Sequence, residues 1–156
     1  AAIELKEKYP KANFKIGGWF DDNPDRISED KVYKLDKEKI IVNLGKLEDV
    51  RDELQKCSVF VLPSYREGVP RSVMEAMSVG RAIITTDAPG CKETVIDGYN
   101  GFLVNPGSST ELVSAMEKFL KHPQLIDEFG KNSRKYAEQK FNVHDVNNKM
   151  LEIMKL

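Results

Sequence analysis

The chain has 156 residues, with 24 Lys plus Arg against 25 Asp plus Glu, and 40% apolar and 31% charged residues. That length suits one domain with a real core, and the balance is that of a globular chain rather than a disordered one. Even charge without a basic, aromatic-interleaved stretch argues against a nucleic-acid partner, and no apolar run nears the roughly 20 residues that span a bilayer.

The chain opens in an amphipathic helical stretch, 1–9 (AAIELKEKY), with no strand before it. An α/β domain normally starts with a strand feeding its first helix, so a fragment of a longer protein is expected. A short strand follows over 13–18 (NFKIGG). The polar, acidic stretch 21–39 reads as a surface insertion, with Asn23-Pro24 as a turn and Ser28 as a helix cap. Next come a strand over 39–44 (KIIVNL), a helix over 49–56, a strand over 57–63 (CSVFVLP) and a helix over 70–79. A strand over 81–87 (RAIITTD), a helical stretch over about 91–96 and a strand over 101–105 (GFLVN) complete the alternation. Helices alone remain, over 110–120, 124–129, 131–141 and 143–156.

Strands alternating with helices predict an α/β fold, a Rossmann-like parallel sheet with helices on both faces and the C-terminal helices packed behind. The runs 57–63 and 81–87 are almost wholly apolar, as strands buried on both faces should be. Val143, Val146, Met150 and Met154 fall at helical spacing, and packing is their expected role. Cys57 and Cys91 form neither a disulfide framework nor a metal knot, so reduced, structural thiols are expected. With no secretory-signal pattern at the start of the chain, the expected compartment is the cytoplasm. His122 and His144 flank late helices and fit no motif.

The stretch SYREGVPRSVMEAM, residues 64–77, carries the functional argument. Ligands of an open parallel sheet bind outside the carboxyl ends of the strands, where helix N-termini point in. The loop SYREG lies there, between the strand 57–63 and a helix whose first residue is expected to be Pro70. Gly68 allows close backbone approach, and free N–H groups of Val69, Arg71, Ser72 and Val73 would face an anion. The helix dipole adds partial positive charge at the same point. This outlines a diphosphate site, with Glu67 placed to accept from sugar hydroxyls and Glu75 from a ribose. Arg66 and Arg71 are candidates for the offsetting cation, or plain surface charge. Fourteen glutamates give about one pair at separation eight by chance, so the spacing alone decides nothing. Both acids also fit as solvated charges near a helix start.

The wider context is more specific. The run FVLPSYREGVPRSVMEAMSVGRAIITTDAPGCKETVIDGYNGFLV holds LPS, EG-x-P, EAM-x-x-G, a strand ending in TTD, G-x-x-E and DG-x-NG. From Pro24 to Phe141 the chain resembles the C-terminal domain of retaining glycosyltransferases of family 4, which have the GT-B fold. The E-x7-E motif is Glu67-GVPRSVM-Glu75, and YREG-x-PRS, TTD-x-PGC and NP-x-x-IS resemble the subset that assembles bacterial capsule, O-antigen and other glycans. The resemblance implies that Glu75 binds the ribose and that Glu67, the candidate catalytic residue, binds the donor sugar. It places Gly68, Val69, Pro70, Arg71, Ser72 and Val73 on the donor sugar and phosphates, and Gly45 and Lys46 on the base. Gly17 and Gly18 fall either at the crevice edge or in a simple strand-end turn, and Asp87 and Gly90 read as cap and turn.

The resemblance further implies transfer, with retention, from a nucleotide-diphosphate sugar, expected to be UDP-linked, to a glycan or polyprenyl-diphosphate-linked acceptor. No cofactor and no metal are expected, and Asp21-Asp22 reads as loop polarity. In the family an Arg and a Lys that neutralise the diphosphate, and a whole acceptor-binding domain, precede the position of Ala1. The chain by itself is therefore expected to turn over nothing and to bind nucleotide weakly. Peripheral contact with the inner face of the plasma membrane would belong to the full-length protein. Two alternatives are a non-catalytic nucleotide-sugar binding module and a GT-B nucleotide-sugar epimerase. The intact Glu67 and Glu75 speak against the first, the E-x7-E motif against the second. A flavodoxin-like signalling domain would place acids after the first strand, where IGGWFDDN stands, but it lacks a partner lysine at a matching strand end.

Overall fold

The computed structural model describes residues 1–20 and 27–155. The Asn23-Pro24 turn, the Asp21-Asp22 pair and Pro24, where the resemblance starts, lie outside the described residues. Two compact units are present, Ala1–Val50 and Arg51–Leu156. Each contains parallel β-structure, two strands in the first and three in the second.

In the first unit helix α1 spans Ala2–Lys8, strand β1 Lys15–Gly17, helix α2 Glu29–Lys37 and strand β2 Val42–Gly45. β1 and β2 pair in parallel, Lys15 opposite Val42 and Gly17 opposite Gly45, with an irregularity between Ile16 and Gly17. Leu5, Val32 and Ile41 are its buried apolar side chains. The stretch read as a surface insertion thus supplies a helix whose Val32 enters the core. Ser28 is its N-cap by position, without a side-chain capping bond. The strand expected from residue 39 starts three residues later for a local reason. Lys39 adopts φ 57°, and the amides of Ile40 and Ile41 donate to the Leu35 carbonyl, prolonging the helix end.

The second unit begins with α3 (Arg51–Lys56), β3 (Val59–Leu62), α4 (Arg71–Ser78) and β4 (Ala82–Thr86). β5 (Gly101–Val104), α5 (Ser109–Lys121), α6 (Gln124–Lys140) and α7 (Val143–Met154) follow. The three strands are parallel in the order β3-β4-β5, Val59 opposite Ala82 and Ile83 opposite Gly101. Central β4 is buried at every residue, whereas β3, the more apolar of the two, is only half-buried. A neighbour on each side makes the difference. Ala82, Ile84, Val104, Ala115, Phe119 and Phe129 form the core against which Phe102 packs. The Phe102, Phe119 and Phe129 rings meet pairwise at 5.2, 5.3 and 5.7 Å, each pair worth about 0.5–1.5 kcal/mol beyond its buried area.

Three expectations need correction here. The helical stretch about 91–96 is a single 3₁₀ turn, Lys92–Thr94, which ends where Val95 becomes extended. The break expected at residue 130 does not occur, and α6 runs through Gly130. A side chain there would sit 2.4 Å from the Gly80 carbonyl oxygen, so the glycine serves helix-to-turn packing instead of ending the helix. α7 buries nothing: Val143, Val146, Met150 and Met154 are 61, 42, 54 and 60% exposed. Its apolar stripe is real, but α5 and α6 already cover the aromatic core. Neither cysteine forms a disulfide; Cys91 is buried and Cys57 half-buried. Among the described residues no helix is long and apolar enough to cross a membrane.

The turn into α5 titrates. The Ser108 hydroxyl accepts from the Glu111 amide at 3.2 Å, and the Glu111 carboxylate accepts from the Asn105 backbone (2.8 Å) and side chain (2.7 Å). The Asn105 amide, then the Asn105 side chain, hold the Glu111 carboxyl below its ordinary value. A carboxyl with a lowered folded pKa stabilises the fold above its unfolded pKa and loses that contribution as pH falls through the folded one. Glu111→Gln is therefore expected to melt below the parent at neutral pH, with the gap closing below about pH 4. A gap that survives acid, in melts taken across pH, would assign the loss to packing.

Candidate functional site

β3 ends at Leu62 and α4 starts at Arg71, so residues 63–70 form a loop at the carboxyl edge of the three-stranded sheet. Strand β4 and the turn after it hold this loop. The Thr86 hydroxyl donates to the Ser64 carbonyl, and the Glu67 amide donates to the Pro89 carbonyl at 3.2 Å. The Ser64 hydroxyl donates to Glu67 Oε1 at 2.8 Å. Glu67 is exposed, and its second carboxylate oxygen has no hydrogen-bond partner among the described residues. One oxygen thus orients the side chain while the other faces outward as an acceptor. Space is open at Gly68, where an added Cβ would meet nothing within 4 Å.

The start of α4 differs from expectation by one position. Pro70 is the N-cap, extended at φ −68° and ψ 116°, and the helix begins at Arg71. The Pro70 carbonyl accepts from the amides of Val73 (3.1 Å) and Met74 (3.2 Å). Val73 therefore has no free N–H, and its side chain is fully buried. The amides of Val69, Arg71 and Ser72 keep no acceptor among the described residues, and no side chain caps the helix. Three unpaired donors thus lie at the positive end of the helix dipole, with Val69 and Arg71 exposed, Ser72 half-buried and Pro70 buried.

Glu75 stands one turn further on. Val73, Ala76 and Met77 form the buried face of α4, which leaves Arg71 and Glu75 on the opposite side, four residues apart. Glu75 is half-buried, and helical side chains lean toward the N-terminus, the end of α4 that carries the open amides. Arg66 and Arg71 are both exposed. The loop and the first turns of α4 therefore carry, in sequence, an oriented carboxylate, three free amides and a second carboxylate.

The remaining candidates lie in the first unit and meet one another there. Gly17 is in register with Gly45, and the Gly18 amide donates to the Gly45 carbonyl at 2.9 Å. The Gly45 amide donates to Asn43 Oδ1 at 3.1 Å, and the Asn43 amide to Asp36 Oδ1 at 3.0 Å. Lys46 follows, exposed. A cavity of about 170 Å³ opens beside Gly17, Gly18, Trp19, Phe20 and Asn43. Asp87 is exposed and pairs with Lys92 at 3.5 Å. Among the described residues no group of three or more His, Cys, Asp and Glu is placed to hold a metal ion.

Sequence reasoning missed the supports of the loop. Thr86 and Pro89 act on it across space, and a hydroxyl at the end of a buried strand was the one available signal.

The profile of the family described as glycosyl transferases group 1 matches residues 1–136 of this chain. The chain belongs to that family. It is 34% identical over 139 residues to N,N'-diacetylbacillosaminyl-diphospho-undecaprenol alpha-1,3-N-acetylgalactosaminyltransferase of Campylobacter jejuni, covering 89% of this chain and 35% of the relative. It is 31% identical over 137 residues to the putative glycosyltransferase EpsD of Bacillus subtilis, covering 88% and 35%. The chain thus spans about a third of the length of these family members. Among solved structures it is similar to the C-terminal domain of a group 1 glycosyl transferase protein, LpcC, from Francisella tularensis. That likeness has a TM-score of 0.78 and 24% identity, over 91% of this chain and 76% of that one. Anabaena HepE in complex with UDP is similar with a TM-score of 0.76 and 23% identity, over 99% and 52%. These likenesses establish the fold, an α/β Rossmann-like arrangement of parallel sheets and helices matching GT-B C-terminal domains.

Proposed function

We propose that this chain is the donor-binding domain of a retaining family 4 glycosyltransferase that uses a UDP-sugar. The complete enzyme would pass the sugar to a glycan or polyprenyl-diphosphate-linked acceptor in cell-surface polysaccharide assembly. The observation that carries the reading is the stretch of loop and helix start in which the free amides of Val69, Arg71 and Ser72 follow Glu67 and precede Glu75 along the chain. Family membership supports transferase chemistry, and the acceptor class follows the Campylobacter jejuni relative, whose own name specifies an undecaprenol-linked acceptor. UDP as the carrier follows HepE, solved with UDP.

In this reading the amides and the helix dipole accept the diphosphate, and their donors strengthen as charge builds on the departing phosphate oxygen. Arg66 and Arg71, beside the same turn, offset the two carboxylates. Glu75 takes the ribose hydroxyls and the free oxygen of Glu67 takes a hydroxyl of the donor sugar. The reaction breaks the bond between the anomeric carbon and the diphosphate, forms one to the acceptor oxygen, and leaves the acceptor proton with the released UDP.

Glu75→Ala tests the ribose assignment through the sign of its effect. Removing a negative charge near a diphosphate would by itself tighten binding. Losing a charged acceptor for two hydroxyls costs about 1.5–3 kcal/mol, so UDP affinity, measured by calorimetry, is expected to fall about 10- to 100-fold. Equal or tighter binding would remove the assignment.

A further inference from the structure

We infer that Gly90 is a positioning residue for the site, because its missing side chain is the seat on which the Glu67-Gly68 peptide rests. This deepens the donor-binding reading and rests on it. A Cβ at Gly90 would lie 1.6 Å from the Gly68 carbonyl oxygen, 2.3 Å from the Glu67 carbonyl oxygen and 2.6 Å from the Gly68 carbonyl carbon. All three atoms are backbone, so no rotamer change clears them. The neighbouring supports act on the same loop: Thr86 holds the Ser64 carbonyl, and the Pro89 carbonyl holds the Glu67 amide. Three points along residues 86–90 therefore fix three points along residues 64–68. An added methyl at Gly90 must push the Glu67-Gly68 peptide outward. That peptide carries the Glu67 carboxylate on one side and leads into the free Val69 amide on the other. Gly90 is assigned its role through these two groups.

Backbone geometry and close approach are separable here. Gly90 has φ +82° and Gly98 has φ +73°, yet a Cβ at Gly98 meets nothing within 4 Å. Gly98→Ala carries the left-handed backbone cost alone, and Gly90→Ala adds the collision.

The experiment compares the parent chain with both variants, using UDP as the probe. Thermal melts measure stability, calorimetry measures affinity, and amide NMR shifts report on residues 66–69. Gly90→Ala is expected to weaken UDP binding about tenfold or more and to move those shifts. Gly98→Ala is expected to lower the melting point, keep affinity within about twofold and leave the shifts in place. Should Gly90→Ala not fold, Thr86→Val removes the adjacent support without added volume and is expected to show the same signature, with Thr86→Ser restoring the parent. Parental affinity and shifts in Gly90→Ala, or equal losses in Gly98→Ala, would overturn the inference. A parent chain that binds no UDP would sink the donor-binding reading instead, and the loop shifts would still decide whether Gly90 seats the peptide.

Discussion

Replacing Glu67 with alanine in the complete enzyme is expected to lower kcat about 100- to 1000-fold while leaving UDP affinity within about twofold of the parent. The split follows from what the carboxylate faces. Its Oε1 is already taken by the Ser64 hydroxyl at 2.8 Å, and the free oxygen is assigned to the donor sugar, not to the nucleotide. A charge-assisted bond that tightens as the sugar leaves contributes to turnover and little to the affinity for the bare diphosphate. Glu67→Gln, which keeps the shape and one acceptor, is expected to lose less. Early product analysed by NMR is expected to show the anomeric configuration of the donor. A variant that binds UDP poorly but turns over normally would move Glu67 from the sugar to the nucleotide.

Phe119→Ala is expected to cost the fold about 3–5 kcal/mol, a large share of the roughly 5–15 kcal/mol that keeps a domain of this kind folded. Phe119 is 3% exposed, at the centre of the cluster made with Phe102, Phe129 and the inner residues of β4 and β5. Removing the ring deletes two aromatic contacts and leaves a cavity that backbone packing cannot close. Phe119→Leu, which refills most of the volume, is expected to recover much of the loss. Denaturant melts check the values, and a loss under about 1 kcal/mol would mean that this cluster is not what holds β4 in place.

The alternation of strands and helices was legible because β3 is apolar at every residue, β4 is β-branched at four of five, and α4 has a regular buried face. What was lost depended on contacts far apart in sequence. Nothing near Lys39 announces a left-handed residue that delays β2, and nothing near Gly130 says that Gly80 will pack against it from fifty residues away. The stripe on α7 was readable as a pattern, but periodicity does not say whether a partner is present. At the candidate site the two glutamates and the Gly-Val-Pro turn stand in one short stretch and could be seen directly. The Val73 amide could not be subtracted in advance, since what takes it is a tight bond to the Pro70 carbonyl three residues back, which no side-chain pattern records. The supports from Thr86, Pro89 and Gly90 reach across two parallel strands, which no local pattern records.

The most direct test of the account is a residue-by-residue amide NMR titration of this chain with UDP. The amides of Val69, Arg71 and Ser72 are expected to shift most in the second unit, Glu75 to shift with them, and Glu75→Ala to weaken the whole response. Saturating UDP that leaves those three amides unmoved would contradict the account.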